Sequence, residues 1–307
     1  MYFSGTTDHI TLVFFNGDTL MAIRIFTNLT SLNAQRILGI NNDRLAQSIE
    51  RVSSGLRINR ASDDAGGLAI AESLRSDIRV LRQGLRNLND GISLTNVAEA
   101  GLNAQSDILI RMRELAAQSA SGTITDPERA TLQLEFVQLR NEIDRISNAT
   151  EFNGKTLLDG SLDSTVLAAN QIVISFGLDG TANSQLNLNT QADVDDVDAV
   201  GLGINLLDIS TQGGAATALT TLDTALDTLS GERASLAAVQ NRLTRILPGQ
   251  AILVENLTAA ESQIRDADIA EEVALLARNQ ILVEAATAMV AQANILPEQV
   301  LKLLPSN

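Results

Sequence analysis

A chain of 307 residues has room for one large domain or about two or three small ones, and for a substantial buried core. Its formal charge of -15 argues against binding nucleic acid or docking on anionic lipid, because both need clustered Lys and Arg. With no Cys there is no disulfide framework, thiolate metal site or Cys nucleophile; aromatics are only 3% of the residues, so the apolar content suits helix–helix seams.

Residues 1–20 differ from the rest of the chain. They hold the only Tyr (Tyr2), the only His (His9) and three Phe around a strand-like Ile10–Phe15. No Lys or Arg precedes the apolar stretch and no small-residue cleavage site follows it, which makes a poor secretory signal. The segment reads as an upstream extension, either a start-site artefact or a leader, ahead of a second Met at Met21. Proline occurs only at Pro127, Pro248, Pro297 and Pro305, so residues 22–126 are free to form long helices.

The apolar spacing asks for those helices. Leu45, Ile49, Val52 and Leu56 alternate steps of four and three, as do Ile78, Leu81, Leu85, Leu88 and Ile92. Gly55 interrupts the first helix, and Ser62 is placed to cap the next, with Asp63 and Asp64 in its first turn. Gly122 and Thr125-Asp126-Pro127 mark a turn into a helix carrying Leu132, Phe136, Leu139, Ile143 and Ile146. Asn153-Gly154 ends this helical half.

The period then changes. Gln171–Phe176 and Gln185–Asn189 are short β-rich runs separated by Gly177 and Asp179-Gly180. Helix resumes near Ala216 and carries Leu236, Val239, Leu243 and Ile246, then Leu253, Leu257 and Ile264, and finally Ile269, Val273, Leu276 and Val283. Pro248-Gly249 should kink or break this return unless a neighbouring turn absorbs it. The expected fold is mainly α: a long antiparallel helical bundle or coiled coil folded back on itself, with a small β-hairpin region at about 152–215. No run approaches the roughly 18–20 apolar residues that a membrane span needs.

Catalytic chemistry finds few candidates. A single His excludes a HExxH zinc helix and a His-based triad, and no glycine-rich phosphate loop is present. Glu271-Glu272 reads as a solvated helix face. Asp193, Asp195, Asp196 and Asp198 could hold a hard cation but lack EF-hand spacing, so an ordinary acidic loop is the better reading. No catalytic, cofactor-binding or metal site is expected, and no enzymatic activity.

Val52-Ser-Ser-Gly-Leu-Arg-Ile-Asn-Arg60, followed by Ala61-Ser-Asp-Asp-Ala-Gly-Gly-Leu-Ala-Ile70, resembles the N-terminal signature of bacterial flagellins. Arg113–Gln118, Asn141–Arg145, Phe152–Gly154, Ala238–Arg242, Glu255–Leu257, Ile264–Asp268 and Ala291–Asn294 continue the resemblance in order, over about 22–160 and 200–304. It implies a terminal coiled-coil domain from 22–63 plus 267–307 and a helical rod domain over 64–266, with no large outer domain inserted. It further implies a homopolymeric, extracellular flagellar filament serving motility and built from subunits exported unfolded. The implied partners are an export chaperone on the C-terminal helix, filament cap and hook-associated junction proteins, and the flagellin-sensing Toll-like receptor, with no nucleic acid and no membrane. Arg111, Leu115 and Glu135 match the receptor-facing positions. Assembly would bury seam residues Leu45, Ile49, Val52, Leu56, Ile269, Val273, Leu276, Val283, Leu296 and Val300 against other copies, in a contact that does not close on itself. The nearest rival is a hook–filament junction protein with the same helical ends.

Overall fold

The computed structural model describes residues 27–303; the extension expected at 1–20 lies outside the described residues. Two compact units form, one from the described residues up to Glu72 and from Glu261 onward, the other from Ser73–Ala260.

In the first unit, α1 (Leu29–Ser54) packs on α6 (Ile269–Leu303). The α1 start is set by Asn28, whose side chain accepts the Ser31 N–H at 3.1 Å. Its end is set by Gly55, which at φ 73° takes the left-handed conformation that closes a helix without a Cβ clash, its N–H reaching Arg51 O at 2.9 Å. Within α6, Ile269–Ile295 is long and apolar enough to cross a bilayer by length and composition, with mean hydropathy 1.3, a property that counting uninterrupted apolar runs does not reveal. One side of that stretch faces α1 through Glu272 and Asn279.

The second unit is built on α2 (Ala65–Ala120) and α5 (Gln212–Arg265), which also reach into the first. Along α2 the buried positions Leu88, Leu102, Leu109 and Met112 recur at helical spacing and share one core with Leu222, Leu229, Leu236 and Leu243 of α5. The two helices run antiparallel. Arg113 pairs with Asp223 at 2.7 Å and Gln212 donates to Ala120 O at 3.1 Å, while Gln240 meets Asn96 farther along. Helix α3 (Asp126–Ala149) adds Phe136 and Ile143 to the same core. It opens with Pro127 in its first turn, and the Glu128 carboxylate accepts from the Thr125 N–H (2.8 Å) and hydroxyl (2.9 Å).

The middle of the chain forms two hairpins. Asn153 and Gly154, at φ 52° and 75°, make the two-residue turn between β1 (Glu151–Phe152) and β2 (Lys155–Thr156). β3 (Val173–Ser175) pairs antiparallel with β4 (Gln185–Asn187), which leads into α4 (Leu188–Ala192). Asn189, fully buried, ties this region together: it accepts the Ile172 N–H and donates to Ser161 O and Asp163 O.

Pro248 does not break α5, which continues from Gln212 to Arg265 around it. Thr244, whose carbonyl loses its partner four residues on, is exposed, as are Pro248 and Gly249, so water can satisfy the freed group.

Candidate assembly surface

The contact between α1 and α6 mixes half-buried apolar residues with polar ones, and the most buried α1 positions are polar. The buried residues of α1 are Ser31, Asn41 and Ser48. With Ala34, Leu38, Leu45 and Val52, all half-buried, they complete an unbroken alternation of threes and fours. Along this line Asn28 donates to Ala293 O at 2.8 Å and the Ser31 hydroxyl to Asn294 Oδ1 at 2.7 Å. Asn41 reaches Leu282 O at 3.4 Å, and Asn279 donates to Ser48 Oγ at 2.8 Å. Arg51 pairs with Glu272 at 3.1 Å; Glu272 is only 7% exposed.

Large apolar side chains stand outside this line. Leu29, Leu32, Ile37, Ile40 and Ile49 of α1 are exposed, as are Ile269, Val273, Ile281 and Met289 of α6, with Ile281 at 65%. The ten predicted seam residues accordingly divide. Leu45, Val52, Leu276 and Val283 are half-buried on the paired helices, Leu56 is half-buried in the following loop, and Ile49, Ile269 and Val273 are solvent-facing. Leu296 and Val300 lie outside the residues whose side chains are described. A seam drawn through apolar residues alone joins two faces of α1, because the intramolecular line runs through serines and asparagines that such a reading passes over.

Beyond α1, the loop from Gly55 to Asp64 and the first turn of α2 stitch the unit together. The Arg57 N–H donates to Arg265 O (2.7 Å) and the Ala267 N–H to Gly55 O (2.9 Å), flanking a bridge between Leu56 and Asp266. The Arg57 guanidinium meets the closing carbonyls of α5, Ile264 O at 2.7 Å and Gln263 O at 3.3 Å, a favourable place for a cation. Asp63 accepts the Arg60 and Asn59 N–H groups, which hold its carboxyl below the usual carboxylate range. Ser62 is not the cap of α2. Asp64 is, accepting the Gly67 N–H at 2.9 Å, since the helix begins only at Ala65. A Cβ at Gly67 would lie 2.8 Å from Cδ1 of the buried Ile58, so glycine lets the loop close.

The three receptor-facing candidates lie in the second unit and do not form one exposed strip. Arg111 is exposed and held at 2.9 Å by both Glu135 and Glu114; its pKa is raised, first by the Glu135 hydrogen bond. Leu115 is 1% exposed and belongs to the core, although it stands only one turn on from Arg111. In the acidic loop, Asp193 accepts the Ser164 N–H and Asp198 the Val200 and Gly201 N–H groups, so these carboxylates serve turn backbone. Asp163, Asp193 and Asp195 nevertheless bring carboxylate oxygens within 4.8 Å of one another. Their neighbour Glu232 has its pKa pushed up to about 7 by burial and then by Asp195. Spacing along the chain gave no sign of Asp163 or Glu232, because the fold alone brings them to the loop.

Residues 25–163 match the model of the bacterial flagellin N-terminal helical region, and residues 219–304 the model of the C-terminal helical region. The chain is 41% identical over 279 residues to the flagellar filament 30.7 kDa core protein of Treponema maltophilum, covering 90% of this chain and 98% of that one. This chain belongs to the bacterial flagellin family. Flagellin of Bacillus subtilis is also 41% identical, over 307 residues, covering 92% of this chain and all of the relative. Among solved structures, Bacillus cereus flagellin is 34% identical, with a TM-score of 0.44, over 54% of this chain and 88% of that one. A flagellar hook-associated protein of Vibrio parahaemolyticus has a TM-score of 0.52 at 16% identity, over 66% of this chain and all of that one. That likeness is one of fold. Of the two flagellin regions, the N-terminal one takes in α1, α2, α3 and the first hairpin, and the C-terminal one takes in most of α5 and all of α6. Residues 164–218, with the second hairpin and the acidic loop, fall between them.

Proposed function

We propose that this flagellin is a structural, non-enzymatic subunit that polymerises into the flagellar filament through the outer faces of α1 and α6. The observation that carries the reading is the division of labour on those helices. The most buried positions of α1 in their mutual contact are polar, beside half-buried apolar residues such as Leu38 and Leu45, while other leucines, isoleucines and a methionine remain in water. Each apolar Å² covered in a subunit contact contributes about 25 cal/mol, so many copies with repeated contacts overcome the entropy of ordering the ends. The contact is heterologous and gives a filament rather than a closed ring.

The same reading extends to export as an unfolded chain, which the absence of disulfides permits. It places an export chaperone on the apolar face of α6 until assembly covers it, and cap and hook-associated junction proteins at the filament ends. Deletion of 267–307 abolishes filaments seen by electron microscopy while the second unit keeps its helical circular dichroism; normal filaments from the truncated chain would overturn the assignment.

Recognition by the flagellin-sensing Toll-like receptor would rest on Arg111 and Glu135, which are exposed and joined, and not on the buried Leu115. Arg111→Ala lowers potency in a receptor reporter assay about tenfold, on the scale of a lost charged contact of about 1.4 kcal/mol. Equal potency removes this role.

A further inference from the structure

We propose that the polar residues between α1 and α6 are the register-determining residues of the terminal pair. The rungs descend α1 as they climb back along α6: Asn28 with Ala293, Ser31 with Asn294, Asn41 with Leu282, Ser48 with Asn279, and Arg51 with Glu272. All five belong to one antiparallel alignment, and they are spread over nearly the whole of α1.

Two further features make them specifiers rather than stabilisers. An apolar seam at these heptad positions would bind more tightly, and the chain has ample Leu and Ile on the adjacent faces, yet the buried α1 positions carry Ser and Asn. The lowest rung is also incompletely satisfied. Arg51 Nε and Glu272 Oε2 are buried without a hydrogen-bond partner, so this pair is held at a cost. A slip of one heptad keeps an apolar seam in contact but strands buried amides, hydroxyls and a charge pair. The rungs thereby fix which outer apolar residues of α1 stand beside which of α6. The consequence for filaments rests on the assembly reading under Proposed function; the register itself does not.

The chain lacks Cys, so a single engineered pair reports alignment cleanly. Ser31→Cys with Asn294→Cys tests the observed register, and Ser31→Cys with Thr287→Cys tests a slip of one heptad. Each is placed on the full chain with intact lower rungs and on one carrying Asn41→Leu, Ser48→Leu and Asn279→Leu. With intact rungs the 31–294 disulfide closes within one chain and the 31–287 pair does not. With leucine rungs, helical circular dichroism is kept or increased, the 31–294 yield falls several-fold and the 31–287 yield rises. The exchanged pair Ser48→Asn with Asn279→Ser restores the hydrogen bond in the opposite sense and keeps the 31–294 yield, which separates register from mere tolerance of substitution. An unchanged 31–294 yield on the leucine background overturns the proposal, as does failure of that disulfide to close with the rungs intact. A 31–294 yield that falls on the leucine background while filaments form in parental yield and form would leave the register assignment standing and place the fault in the assembly reading.

Discussion

Glu232 shows how a residue can be visible in the sequence and its chemistry invisible. The run Asp193–Asp198 reads as acidic, but Asp163 and Glu232 join it only once the loop lies against α5. Burial and the Asp195, Asp193 and Asp163 charges then favour the neutral acid, raising its pKa from 4.5 to about 7. The folded chain therefore holds a proton that the unfolded chain has lost between those values. Stability conferred by this proton is present toward the lower end of the window and is lost as the pH rises through about 7. Glu232→Gln removes the dependence. Its denaturation midpoint, compared with that of the parent, gains more at about pH 8 than at about pH 5; an equal gain at both would contradict the assignment. Leu115 makes the converse point. Its motif was legible, but its burial was not, because a one-residue rotation on a helix decides between core and surface and only the partner helix fixes it.

At the scale of elements, strands and helices follow from local pattern, while their docking depends on close approaches. Gln171–Phe176 and Gln185–Asn189 anticipated the pairing of β3 with β4, and Asn153-Gly154 supplied the positive-φ turn of the first hairpin. Where the second hairpin lands was not legible. It lies on α2 at Gly84, where a Cβ would stand 2.8 Å from the Phe176 Cα, and at Gly91, where it would meet the end of the Ile174 side chain. Asn87 adds a bond to Ser175 O at 2.7 Å. Since backbone cannot yield as a side chain can, Gly84→Ala destabilises the second unit by about 1–3 kcal/mol and exceeds the cost of Gly91→Ala. Urea midpoints of the two variants check the order, and a larger loss at Gly91 would show that the hairpin is not held at Gly84. Pro248 teaches the opposite lesson, since a local breaker was overridden by an exposed position in a long packed helix.

For the whole molecule, heptads at both ends and a change of period between them made the helical architecture legible, and the ordered motifs made the family legible. The assembly surface was legible only in part. Counting apolar residues found that α1 and α6 carry seams, but not that serine, asparagine and one ion pair take the most buried places of the seam within the chain and leave much of the apolar surface unused. Polar residues at heptad positions carry that signal, and their meaning depends on a partner helix more than two hundred residues away. The central claim is that the exposed apolar residues of α1 and α6 hold copies together. Electron microscopy and sedimentation of the chain carrying Ile37→Ser, Ile49→Ser and Ile281→Ser test it most directly. Loss of filaments, with helical circular dichroism retained, is the result predicted; filaments in parental yield and form would contradict it.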